Sequence, residues 1–110
     1  METDSAIAIL AALAHPTRLE TFRTLVRHEP TGLSTGELVE DSGLTQSTFS
    51  THLAVLAKAG LVTSEKQGRQ QIQRASIETL RALITFLAKD CCAGSPELCA
   101  PLVAELAPCC

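Results

Sequence analysis

The stretch that decides the fold covers residues 34–60 and reads STGELVEDSGLTQSTFSTHLAVLAKAG. Ser34 and Glu37 stand three positions apart and match a capping box, in which each side chain bonds a free backbone N–H at the start of a helix. Thr45 can cap a second helix, and Gly43 supplies a tight turn between the two. Two helices joined by a glycine turn are typical of a helix-turn-helix.

The second of these helices has two contrasting faces. Its apolar residues at helical spacing, which we expect to point inward, are Phe49, Leu53, Leu56 and Ala57. The 3.6-residue period turns mostly small and polar residues outward, namely Ser47, Thr51, Ala54 and Lys58, flanked by Thr48 and Val55. Such a face fits the major groove of DNA, where hydroxyls and Gln46 can bond base edges or phosphates. The alternative is a polar helix face in contact with water.

The segment that follows predicts a β-hairpin over residues 61–66 and 70–75. Arg69 lies at the expected tip, with Lys66 and Arg74 on the strands. These cations could lie along a minor groove or the phosphate backbone of DNA. The alternative is an ordinary solvated turn, since charged hairpin tips are common.

The N-terminal segment predicts two helices separated by a break at His15-Pro16, because the residue before proline is disfavoured in a helix. Ser5 can cap the first helix, which runs to about Ala14. Pro16 suits the first turn of the second, which ends at residues 30–32. The apolar residues of this second helix are Leu19, Phe22, Leu25 and Val26.

A fifth helix is expected after Ser76, which can cap it. Its apolar stripe comprises Leu80, Leu83, Ile84 and Leu87. Phe86 and Ala82 lie off the stripe and leave more apolar surface than one contact needs. We therefore expect the first and fifth helices to form a subunit interface, with a wider single core as the alternative.

Length and composition limit the class of protein. The chain has 110 residues, of which 45% are hydrophobic, enough for one compact domain with its own core. No apolar run reaches the roughly 18 residues that a membrane-spanning helix needs. The first residues are acidic, whereas a secretory signal begins with basic ones. We expect a cytoplasmic protein without a membrane partner.

Charge is unevenly distributed along the chain. The net charge is −3, yet residues 45–75 hold four basic residues against one acidic residue. One basic face on an acidic body is compatible with DNA binding.

All five cysteines follow residue 90, as Cys91-Cys92, Cys99 and Cys109-Cys110. An odd number in a reducing compartment argues against a disulfide framework. We divide the chain into a domain of residues 1–90 and a cysteine-rich tail of residues 91–110.

Four motifs carry a resemblance to a known family. They are ALAHPTRL at residues 12–19, TQSTFSTHL at 45–53, Leu56 with Ala59-Gly60-Leu61-Val62, and the turn Gly68-Arg69. Together with the order of elements, they resemble the winged helix-turn-helix repressors of the ArsR/SmtB family over residues 5 to about 90. The resemblance implies a mainly α fold with a β-hairpin wing. It also implies a homodimer that blocks transcription of a resistance or efflux operon until metal binds.

On this resemblance, residues 1–90 form the DNA-binding and dimerisation domain. The expected DNA-binding residues are Gln46, Ser47, Thr48, Ser50, Thr51, His52, Lys58, Lys66 and Arg69. The chain departs from the family at three places. Several relatives have His where this chain has Thr51. The family's thiolate site on the third helix is missing, and so is its His/Asp zinc site on the fifth. A sensor site must then lie elsewhere.

The tail provides thiols for such a site. Cys91, Cys92 and Cys99 fall within nine residues, and Gly94 with Pro96 can fold the chain back between them. Thiolates without histidine or carboxylate partners favour a soft centre, and three sulfurs match the three bonds of trivalent arsenic. Some arsenite-responsive members of the family are similar here, which implies arsenite as inducer, and antimonite with it.

Other interpretations remain open. The tail could bind zinc, cadmium or lead through four of its five thiols, with Cys109-Cys110 joining the site, or it could respond to thiol oxidation. The terminal pair could equally bind nothing. A small thiol enzyme would need a base beside its thiolate, and every histidine lies far from the tail in sequence. We therefore expect no enzyme, and a module that only dimerises is the remaining class.

Overall fold

The computed structural model describes residues 1–88 together with residues 100, 101, 104 and 105. The helices of residues 1–88 are α1 Thr3–Leu13, α2 Pro16–Arg27, α3 Thr35–Ser42, α4 Gln46–Lys58 and α5 Ile77–Ala88. The strands are β1 Leu33–Ser34, β2 Val62–Gln67 and β3 Gln70–Ala75. This order confirms the mainly α fold with a β-hairpin wing. Apart from those four residues, the predicted tail lies outside the described part of the chain.

The predicted caps of α3 and α4 are confirmed. Ser34 Oγ accepts from Glu37 N at 3.1 Å, and Glu37 Oε1 accepts from Ser34 N at 3.1 Å. The backbone hydrogen bond from Ser34 is the main reason that the pKa of the Glu37 carboxyl is lowered. Thr45 Oγ1 accepts from Thr48 N at 3.3 Å at the start of α4. Gly43 ends α3 in the left-handed region, with φ of 72°.

The start of α1 differs from the prediction, whereas the break before α2 is confirmed. Helix α1 begins at Thr3 rather than after Ser5, and Glu2 precedes it without a side-chain cap. His15 is extended, and its Nδ1 accepts from Thr17 N at 3.1 Å at the start of α2. Proline then occupies the first turn, where no N–H is needed.

The three strands form an antiparallel sheet in the order β1-β3-β2. Val62 pairs with Ala75 and Gln67 with Gln70, so the turn of the hairpin has only two residues, Gly68 and Arg69. Gly68 has φ of 63°, which such tight turns require. Strand β1 was not predicted, because two residues carry no alternating pattern of their own.

The core lies between the helices and the base of the hairpin. Its largest fully buried side chains are Leu25, Phe49, Leu56 and Leu61. Leu19 belongs to the apolar spacing of α2 but is 42% exposed, because the buried side of the helix centres on Thr21, Phe22 and Leu25. At 100° per residue, Leu19 lies more than a quarter turn away from that centre. On α4, Ala57 was predicted on the inward apolar face, but it is exposed at the edge of that stripe.

Helices α1 and α5 contact each other and keep apolar side chains in solvent. Ile7 and Leu10 of α1 are 58% and 42% exposed, and Ile84 and Leu87 of α5 are 39% and 58% exposed. Leu83 is buried on α5, so the predicted stripe is divided between the core and the surface. Within the described residues, none of the helices is long and apolar enough to cross a membrane.

Candidate nucleic-acid interface

Burial of one side of α4 determines which side faces solvent. Phe49 and Leu56 are 1% and 0% exposed, which fixes the rotation of the helix about its axis. On the opposite side every predicted outward residue is exposed, namely Ser47, Thr48, Thr51, Ala54 and Lys58, with Gln46 and Ser50 beside them. Val55 is half-buried. The structure therefore presents a narrow, hydroxyl-rich helix surface of the kind that fits a major groove.

The hydroxyls of α4 differ in what they can offer a base. Thr51 Oγ1 donates to the carbonyl of Ser47 at 3.1 Å, so its proton is used within the helix and its lone pairs stay available. Thr48 Oγ1 accepts from Thr45 Oγ1 at 2.9 Å and keeps its own proton. Thr51 can thus accept from an amino group, as on adenine or cytosine, while Thr48 can donate to an acceptor or a phosphate.

The tip of the hairpin and the start of α4 lie beside one groove. Gln46 and Arg69 line it together with Ser34, Thr35, Gly36, Gln70 and Gln71. A second, shallow groove follows α4 itself, and its lining includes Ser50, Thr51 and Lys58. Lys66 and Arg69 are exposed on the hairpin. The structure therefore brings most of the predicted DNA-binding residues into two neighbouring surfaces.

Arg74 was expected on this surface, and the structure corrects that expectation. Its Nε and Nη2 donate to the two carboxylate oxygens of Glu29 at 3.2 and 2.8 Å. The hydrogen bonds from Arg74 to Glu29 raise the pKa of the guanidinium. Because its charge is neutralised, Arg74 ties β3 to the segment after α2 instead of offering a cation to DNA.

A buried amide holds the base of the hairpin against α3. Gln73 is 4% exposed, and its Oε1 accepts from Ser64 Oγ at 2.6 Å. Its Nε2 donates to Thr35 Oγ1 at 3.0 Å, and that hydroxyl donates to the carbonyl of Gln71 at 3.4 Å. The direction of the hairpin is therefore set by side-chain hydrogen bonds as well as by the sheet.

His52 is set apart from the other predicted DNA-binding residues. It is half-buried, and Arg18 Nη1 donates to its Nδ1 at 3.3 Å. The ring of His15 lies 4.3 Å from its own, centroid to centroid. Burial is the main cause that lowers the pKa of His52, and electrostatic interactions with His15 and Arg18 add to it. Sequence reasoning missed this contact, although the motif at residues 12–19 contains both partners.

The predicted thiol ligands Cys91, Cys92 and Cys99 lie outside the described residues. Within the described ones, histidine, cysteine, aspartate and glutamate nowhere form a group of three that could hold a metal ion.

Comparison with known proteins gives the family. A protein-family model described as a helix-turn-helix domain matches residues 13–65 of the sequence. The transcriptional activator HlyU of Vibrio cholerae is 35% identical over 94 residues, which are 84% of this chain and 84% of HlyU. A probable mercury resistance operon repressor of Streptomyces lividans is 31% identical over 102 residues, covering 84% of this chain and 79% of that protein.

Among solved structures, an ArsR-like transcriptional regulator from Rhodococcus sp. RHA1 has a TM-score of 0.72 at 27% identity. The match covers 88% of this chain and 89% of the regulator. Sequence and structure agree over most of both chains, and the matched helix-turn-helix domain contains α4. The chain therefore belongs to the ArsR family of winged helix-turn-helix transcriptional regulators.

Proposed function

We propose that this regulator is a repressor that binds operator DNA as a homodimer and releases it when trivalent arsenic or antimony binds Cys91, Cys92 and Cys99. The observation that supports this proposal best is that the thiols and the exposed side of α4 lie in separate parts of the chain. Residues 1–88 present the exposed, hydroxyl-rich side of α4 and contain no thiol, whereas every cysteine follows residue 90. The chain thus has separate parts for reading DNA and for binding a soft ligand.

In the proposed complex, α4 lies in the major groove with its N-terminus toward the phosphates. The free N–H groups and the partial positive charge at that end favour phosphate. The base-reading side chains would be Gln46, Ser47, Thr48, Ser50 and Thr51. Lys58 at the far end of α4, with Lys66 and Arg69 on the wing, would contact backbone phosphates.

The proposed dimer is supported by the apolar surface that α1 and α5 share. Ile7, Leu10, Ile84 and Leu87 are all more than a third exposed, on two helices that contact each other. A second copy related by a two-fold axis would cover this surface with the same residues from its own α1 and α5. The two recognition helices could then read half-sites about 34 Å apart.

The donor set of the tail supports a trivalent, thiophilic inducer. Three thiols replace the three hydroxyls of arsenous acid, and each As–S bond that forms releases one water molecule. Soft sulfur donors select soft centres over magnesium, calcium or manganese. The relative from Streptomyces lividans carries mercury resistance in its name, which supports a soft inducer for a chain of this family.

The position of the thiols also supports a route to release. Only Lys89 and Asp90 separate Cys91 from Ala88, the last residue of α5. A ligand bound there would act on the chain that leaves the proposed dimer helix. Release follows if the ligand binds the DNA-free arrangement of the dimer more tightly than the bound one.

The test is operator release followed by fluorescence anisotropy, with arsenite, antimonite, zinc, cadmium, lead and peroxide titrated in parallel. We expect release by arsenite and antimonite. Cys91→Ser, Cys92→Ser and Cys99→Ser should each bind the operator normally and resist arsenite, whereas the control Cys109→Ser should respond like the wild type. Release of the Cys99→Ser protein by arsenite would contradict the three-thiol site, and release by peroxide or zinc alone would replace it with a redox or metal sensor.

A further inference from the structure

One guanidinium joins three helices at the corner between α1 and α2. Arg18 Nε donates to the carbonyl of Ala12 at 2.6 Å, and Nη2 donates to that of Ala11 at 3.5 Å. Nη1 donates to Nδ1 of His52, in the middle of α4, at 3.3 Å. A single side chain from the first turn of α2 thus touches both the end of α1 and α4.

The contact with α1 has a clear electrostatic basis. The last carbonyls of a helix lack partners within the helix and carry a partial negative charge. A guanidinium satisfies such carbonyls, so Arg18 holds the end of α1 to the start of α2. The same α1 carries Ile7 and Leu10, which belong to the proposed subunit interface. A shift of α1 at that interface would therefore also displace the guanidinium of Arg18, which is bonded to the end of α1.

The contact with α4 fixes one tautomer of His52. A guanidinium has donors and no acceptor, so Nδ1 of His52 must accept and the ring proton must sit on Nε2. The ring of His15, tilted by 37° and 4.3 Å from that of His52, likewise accepts at its Nδ1, from Thr17 N. The lowered pKa of His52 agrees with a neutral ring. The α1–α2 corner therefore holds both imidazoles in one orientation, and Nδ1 of each ring accepts a hydrogen bond.

We propose that Arg18 is a positioning residue for operator binding, which sets α4 relative to the dimer helix α1 through its hydrogen bond to His52. Arg18 does not need to touch DNA for this role. The inference rests on the DNA-binding and dimer parts of the proposed function, and it is independent of the inducer.

The test is a double-mutant cycle on the full chain with Arg18→Gln and His52→Phe, read out by operator affinity. Phenylalanine keeps a ring beside His15 and removes the acceptor. We expect each single variant to bind the operator about tenfold more weakly than the wild type, and the double variant to bind it no more weakly than either single variant. The coupling energy between the two side chains is then about 1.4 kcal/mol. His52→Asn, which keeps an acceptor near the Nδ1 position, should retain most of the affinity.

Two further measurements separate positioning from a general loss of structure. In the wild type, ¹⁵N NMR of the imidazoles should show the Nε2–H tautomer at His52, and Arg18→Gln should mix the tautomers. Arg23→Gln is the matched control, since Arg23 lies on the same helix, is 60% exposed and pairs with Glu20. If Arg18→Gln fails to fold, Arg18→Lys takes its place in the cycle.

The outcomes separate the two proposals. A wild-type protein that binds no operator overturns the proposed function, while the tautomer at His52 still reports on the contact. Operator binding by the wild type with additive losses in the cycle, or an unchanged tautomer in Arg18→Gln, overturns the positioning role alone.

Discussion

Operator affinity should fall steeply with salt, and Arg69 should account for a measurable share of that fall. Each phosphate neutralised by the protein contributes about −0.9 to the slope of log affinity against log salt. Lys58, Lys66 and Arg69 are exposed, and neither ion pair seen within residues 1–88 involves them. Three phosphate contacts per protomer give about six in the proposed dimer, and the slope of log affinity against log salt is then about −5. Operator affinity should fall about a thousandfold between 50 and 200 mM salt.

Arg69→Ala removes two of these contacts from the dimer and should reduce the slope by about 2. The assay is anisotropy of a labelled operator at a series of potassium chloride concentrations. Arg74→Gln is the informative comparison, because the Arg74 charge is already paired with Glu29 and its loss should leave the slope unchanged. A slope that flattens as much in Arg74→Gln as in Arg69→Ala would refute the assignment of phosphate contacts, and so would an unchanged slope in Arg69→Ala.

Three further predictions concern stability and base preference. Gly32→Ala should lower the free energy of unfolding, measured with urea, by about 2–5 kcal/mol. The reason is that φ is +75° at this position and an added Cβ would lie 2.5 Å from a carbonyl oxygen of β3. Gly68→Ala, with φ of +63° and open space, should lose about 1–2 kcal/mol, and equal losses would contradict the clash. Phe49→Ala should lower the free energy of unfolding by about 3–5 kcal/mol, because Phe49 is buried. Thr51→Ala should change that free energy by less than about 0.5 kcal/mol but alter base preference in a site-selection assay. A larger loss of stability in Thr51→Ala than in Phe49→Ala would refute the assigned faces of α4. Because the pKa of His52 is lowered on folding, its contribution to stability is present above the unfolded value of about 6.5 and is lost as pH falls through the folded value. Thermal melts from pH 7.5 to 5 should show a smaller acid loss in His52→Asn than in the wild type, and identical losses would exclude that contribution.

Local signals in the sequence were enough to predict α3 and α4 and the exposed, hydroxyl-rich side of α4. The capping box of Ser34 and Glu37 and the cap at Thr45 act within one helical turn, so their effect is visible in the sequence and confirmed in the structure. The apolar spacing of α4 likewise predicted which side is buried at Phe49 and Leu56. Short-range hydrogen bonding and periodic burial thus suffice for the helix-turn-helix.

Contacts between distant segments could not be predicted in the same way. Glu29 and Arg74 are 45 positions apart, and nothing near Arg74 indicates that its charge is already used. The bond from Arg18 to His52 spans 34 positions, and β1 exists only because it pairs with β3. These features depend on packing of whole elements, which a single sequence does not specify position by position.

The hydrogen-bonded Gln73 has a consequence for anyone who would exchange wings between relatives. The hairpin tip from Gln67 to Gln70 is exposed, so its charge can be redesigned at little thermodynamic cost as long as Gly68 is kept. A chimera that imports a whole hairpin without Ser64 and Gln73 would lose the hydrogen bond from Gln73 to Thr35, so only the pairing of β3 with β1 and the remaining contacts would set its direction. Retargeting to a new operator should therefore transplant the tip and retain the base.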